Sequence, residues 1–152
     1  MALTTFLIGG YAYADTQKIS PTNVIVQIQN LGVENCVLVK KNLIHGELRR
    51  YSNWPGLIVT GDQNEFVVEN DALGVAELTL DYKCGDHKVF SLYMNNFQKK
   101  GYRHRSTDVK FEGIDVFESH TITPGWIRVL HYVEPGPAVI GEPTKISWRI
   151  TH

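Results

Sequence analysis

The densest chemistry in the chain sits in four consecutive residues. Cys84-Gly85-Asp86-His87 sets a nucleophile, an acid and a base side by side. A catalytic relay requires a base hydrogen-bonded to the nucleophile and oriented by the acid, a matter of geometry rather than of nearness in sequence. Here Gly85-Asp86 reads as a tight two-residue turn between strands, and the alternation before it turns Cys84 inward. Such a turn cannot fold its own flanks into a relay, so no catalytic residue is assigned. An enzyme whose site is assembled across separate strands is the alternative. The six histidines are His45, His87, His104, His120, His131 and His152. No two of them stand at the i, i+4 spacing of a helical zinc site, and none adjoins a cysteine-pair motif. No metal ligand and no cofactor is expected.

Cys36 and Cys84 are the only cysteines. An even pair suits an oxidising compartment, where it forms a bridge; two buried free thiols are the alternative. A bridge closes a loop of about 48 residues and stabilises the fold by roughly 4 kcal/mol in the chain-entropy account. Its Cα atoms are expected about 4.4–6.8 Å apart.

Binding chemistry is carried by three stretches. Lys99-Lys100-Gly101-Tyr102-Arg103-His104-Arg105 holds four fixed positive charges and no negative one. Lys99, Lys100, Arg103 and Arg105, with Tyr102 among them, suit a phosphate-bearing headgroup, a sulfated glycan or single-stranded nucleic acid; a plain solvated loop is the other reading. Tyr51 to Ile58, with Trp54 at its centre, and Pro137 to Gly141, with Val139 and Ile140, put apolar side chains in loops. On a sandwich such tips enter a lipid interface, meet a partner, or fold back to cap the core.

These stretches need a frame, and the frame is β. Val24, Val26 and Ile28 alternate with Ile25, Gln27 and Gln29, the period of a strand with one buried face. A second strand is expected over 35–41 and a third over 43–51, then a loop at 53–56. From Gly74 to Cys84 the period is strictly two, with Ala76, Leu78, Leu80, Tyr82 and Cys84 on one face. After the Gly85-Asp86 turn the partner strand runs from His87 to Met94, burying Phe90, Leu92 and Met94. Residues 95–110 read as a long polar loop. Strands return over 115–121 and 126–133, and 134–143, with three prolines, is a loop. The chain closes with a strand over 144–150 that buries Ile146, Trp148 and Ile150. No stretch keeps a helical period for three turns. The reading is all-β, a single antiparallel β-sandwich of about eight strands.

The hairpin carries a resemblance. Gly74…Tyr82-Lys83-Cys84-Gly85-Asp86…Tyr93-Met94-Asn95-Asn96 resembles the central hairpin of the aegerolysins, small β-sandwich proteins that bind lipid membranes, some with a pore-forming partner. It is also similar to short exported proteins of unassigned function in Gram-negative bacteria, where a segment like Asn42-Leu43-Ile44-His45-Gly46 precedes the hairpin. The resemblance implies a non-enzymatic binding role.

The first residues point to export. Ala2 to Ile8 is apolar and uncharged, and Ala12-Tyr13-Ala14 matches an A-x-A cleavage site, although no Lys or Arg precedes the apolar run. Residues 1–14 are read as a signal-peptide remnant and 15–152 as the domain; a buried first strand is the alternative. A chain of 152 residues makes about one domain. Its net charge of −1 argues against holding nucleic acid or anionic membrane by bulk charge, and leaves a local basic patch open. The expected function is a secreted or periplasmic binding protein whose target is a lipid membrane surface, or a host or envelope protein. Oligomeric state is left open.

Overall fold

The structure, a computed structural model, describes residues 23–98, 106–118, 125–134 and 143–152. Among these lie eleven strands and no helix. They are β1 (Val24–Asn30), β2 (Cys36–His45), β3 (Glu47–Leu48), β4 (Leu57–Ile58), β5 (Gln63–Glu69), β6 (Val75–Cys84), β7 (Phe90–Phe97), β8 (Ser106–Glu112), β9 (Val116–Phe117), β10 (Ile127–Glu134) and β11 (Thr144–Thr151). One sheet runs β3-β5-β1-β11-β10-β9 and the other β4-β2-β6-β7-β8. The expected all-β sandwich is what forms, with eleven strands in place of about eight.

The two sheets pack because each has an apolar inner face. Val24, Val26 and Ile28 of β1 stand beside Ile146, Trp148 and Ile150 of β11, Phe66 and Val68 of β5, and Ile127 and Val129 of β10, all buried. Opposite them lie Ala76, Leu78, Leu80, Tyr82 and Cys84 of β6 and Phe90, Leu92 and Met94 of β7. In β1, β6, β7 and β11 alternation places one residue in two inside, as the period requires, whereas β5 buries Val67 as well.

Four expectations are corrected. Residues 95–110 are not one loop: β7 continues to Phe97, and Ser106 begins β8. The expected third strand over 43–51 is divided. β2 runs through to His45, Gly46 takes φ +97°, and β3 then joins the other sheet. The hairpin connection is wider than two residues, because Tyr82 pairs with Phe90 and the chain between makes the turn. Finally, the pairing is not wholly antiparallel: β1 lies parallel to β11, and β9 to β10.

The disulfide forms. Cys36 and Cys84 face each other across the β2–β6 ladder. Their Cα atoms are 4.0 Å apart, a little below the lower limit of the expected range. Directly opposed residues of an antiparallel ladder already stand about 4.5 Å apart where no hydrogen bonds link them.

Candidate functional site

One end of the sandwich gathers the strand termini that bracket the basic and the apolar stretches. Val24, at the start of β1, pairs with Val68 on one side and with Thr144, the start of β11, on the other. Glu134, the end of β10, pairs with Lys145. Val75 pairs with Phe97 and Phe97 with Ser106. Asn70 stitches the two sheets' margins here, its Nδ2 donating to the carbonyls of Gly74 at 3.0 Å and Gln98 at 3.3 Å. The chain leaves this end after Gln98 and returns at Ser106; it leaves after Glu134 and returns before Thr144. Lys99, Lys100, Tyr102, Arg103, Arg105, Val139 and Ile140 themselves lie outside the described residues, as do residues 1–14.

The turn 70–74 forms the described surface of this end. Asp71 organises it. Its Oδ1 accepts the N–H groups of Leu73 at 2.9 Å and Val75 at 3.0 Å. Its Oδ2 lies 2.9 Å from Nδ1 of His45, the last residue of β2. The Val75 N–H above all, then the His45 contact and the Leu73 N–H, hold the Asp71 carboxyl below its ordinary range against an opposing push from burial. This network leaves Leu73 pointing outward, 66% exposed. Sequence reasoning missed Leu73; the available signal was a leucine in the turn-type run Asp71-Ala72-Leu73-Gly74, where a polar residue is the norm.

Trp54, the one described member of the expected binding set, lies elsewhere. Residues 49–56 cross from β3 at the margin of one sheet to β4 at the margin of the other, so they close the side of the sandwich and not its end. The strap is well tied. The Tyr82 hydroxyl donates to the Pro55 carbonyl at 2.7 Å, the Leu38 N–H to the Gly56 carbonyl at 2.8 Å, and the Val67 N–H to the Ser52 hydroxyl at 3.1 Å. Burial pushes the Tyr82 hydroxyl pKa far up, so it serves only as a donor here. The Trp54 ring is half-buried against Phe66, centroids 5.5 Å apart, with the Lys41 ammonium 5.4 Å from its centre. It therefore caps the core. Exposed apolar residues of this side include Tyr51, with φ +70°, and the pair Leu57 and Val37, which sit opposite each other across β4 and β2. An open depression of about 400 Å³ between Tyr51, Trp54, Leu57, Asn64 and Glu65 marks the place. Val37 had a legible signal: Cys36-Val37-Leu38-Val39 is apolar without alternation, so once Cys36 is inside, Val37 must face out.

The opposite end carries the disulfide. There Asn30 ties the loops, its Nδ2 donating to the carbonyls of Glu34 at 2.7 Å and Ile58 at 3.0 Å. His87 is next to His152, ring centroids 5.2 Å apart, and Cys84 is bonded to Cys36, so the Cys-Gly-Asp-His run forms no relay.

The frame so defined is a two-sheet β-sandwich whose strand termini present loops at both ends. Solved structures share it, two of them as follows. The lipid binding protein Nakanori superposes with a TM-score of 0.60 at 9% identity, covering 93% of this chain and 76% of that one. IP-1A from Alcaligenes faecalis superposes with a TM-score of 0.53 at 14% identity, covering 90% and 96%. At these identities the likeness is one of fold. No family model matches the chain, and no curated protein matches it.

Proposed function

We propose that the chain is a non-enzymatic binding protein that docks on a lipid membrane surface through the end of the sandwich bearing Leu73. The observation that carries this reading is the convergence of strand termini: the segments 99–105 and 135–142, one basic and one apolar, are both anchored beside the Asn70–Gly74 turn. Anionic attraction and apolar insertion then act on one surface, the combination that interfacial binding uses. The shared fold with a protein described as lipid-binding supports it, and so does the hairpin's resemblance to the aegerolysins. The disulfide supports a secreted or periplasmic location.

Co-sedimentation with vesicles tests the reading. Wild type is expected to pellet with anionic vesicles. Replacing Lys99, Lys100, Arg103 and Arg105 together should weaken capture, each charge being worth about 1 kcal/mol near such a surface, and salt should screen the effect. Ile140→Asp and Leu73→Asp should weaken it by a route salt does not screen, since each removes apolar area from the contact. Wild type left in the supernatant with anionic and neutral vesicles alike would end the lipid reading. A second reading, a host or envelope protein as partner, is favoured by the exposed Val37–Leu57 pair on the sheet margin.

A further inference from the structure

We propose that Cys36, Cys84 and His152 form, once the disulfide is reduced, a binding site for one thiophilic divalent cation of the zinc type. One ligand atom from each residue falls within 4.8 Å of the other two, and this is the one such group among the described residues. The two sulfurs stand on a single rung of the β2–β6 ladder, so the sheet itself holds them together after the bond is gone. Thiolates on a tetrahedral zinc are about 3.8 Å apart, given Zn–S bonds of about 2.3 Å. Rotation about the Cα–Cβ bonds opens the pair to that distance without moving the strands.

His152 is held in place as a third donor. Its ring lies against Gly32, where a Cβ would collide with the imidazole. Its Nε2 accepts the Glu34 N–H at 2.9 Å, and its Nδ1 is buried without a hydrogen-bond partner. The protein thus orients this imidazole without satisfying it. The Glu34 amide is at an exposed position and can turn to water, which leaves the ring's lone pair to a cation.

The chemistry balances with a small thiol as reductant. Two thiols are oxidised to their disulfide while the Cys36–Cys84 bond accepts two electrons and two protons. Cation binding then breaks both S–H bonds, forms two metal–sulfur bonds and releases two protons. Bridge and cation exclude each other. Before oxidation the cation clamps β2 to β6 at the rung the disulfide later holds.

The test uses the whole chain reduced with a phosphine, two free thiols being verified, and titrated with cobalt(II) while near-ultraviolet circular dichroism reports tertiary structure. Reduced wild type should bind one cobalt, with a thiolate charge-transfer band and tetrahedral visible bands that zinc abolishes. The oxidised chain should give neither. His152→Ala should lower the affinity of the reduced chain at least tenfold and alter the visible bands. The proposal is overturned if reduced wild type gives no such bands, if His152→Ala titrates like wild type, or if a reduced chain that loses its near-ultraviolet signal does not regain it with zinc.

Discussion

Gly85 shows how much a single backbone angle can carry. It opens the chain between β6 and β7 with φ +54°, and a Cβ there would meet the Glu34 side chain at 2.8 Å. The Glu34 side chain can move aside; the angle cannot. Gly85→Val should therefore cost about 1–3 kcal/mol, the range for a non-glycine residue forced into this region, and Gly85→Asn should cost less, because Asn tolerates it. Thermal unfolding of the two variants checks this, and equal melting temperatures would sink it. His152 yields a prediction in pH. Its folded pKa lies below the ordinary 6.5, chiefly through burial. The neutral ring's contribution is thus fully present above pH 6.5 and declines as the unfolded chain gains its proton below it. Melting temperature should fall between pH 7 and 5, and His152→Ala should flatten that fall. Asp71 has the same sign at lower pH: its depressed pKa makes its contribution present above the ordinary 3.8 and lost as pH falls through the folded value.

The strap 49–56 and the strands it joins act as units. Tyr82→Phe keeps the buried ring and removes only the hydroxyl that bonds the Pro55 carbonyl. Leaving that carbonyl unsatisfied should destabilise by about 1–3 kcal/mol, measured by denaturant unfolding, and a neutral result would mean water replaces the bond. How far elements were legible in the sequence follows from their inner faces. β6 and β11 alternate without exception, and both were readable. β7 was cut short because Asn96 points inward where an apolar residue is expected; it is buried and its Oδ1 accepts the Thr107 hydroxyl at 2.9 Å. That bond joins β7 to β8, the strand hidden by the same misreading. β8 does alternate, with Thr107, Val109 and Phe111 half-buried, but the polar run before it masked the period. β5 was missed because Phe66, Val67 and Val68 are all buried and show no alternation. Of the binding set, the cysteine pair was legible from type and strand facing. Trp54 was legible as a loop aromatic, but not the Phe66 contact that commits it to the core. The gathering of segment anchors at one end depends on long-range pairing, which no local pattern carries.

At the scale of the molecule, the disulfide joins strands already adjacent in one sheet, with a sequence separation of 48 between the two cysteines. In the chain-entropy account its loss costs about 4 kcal/mol. Paired Cys36→Ser and Cys84→Ser substitutions should lower unfolding stability by an amount of that order, measured in denaturant, and a loss under about 1 kcal/mol would mean the unfolded chain is already restricted there. The pairing of β1 with β11 has a different kind of consequence. These two strands lie side by side in the middle of their sheet, although nearly the whole described chain separates them. During synthesis, then, β1 and β10 wait with bare hydrogen-bonding margins until residues 144–151 have been made. A chain halted earlier has an open seam through its centre, a template for pairing with other chains. Folding must be late and global, and slow for the size of the protein, because the contact that closes the sheet spans the greatest distance along the chain.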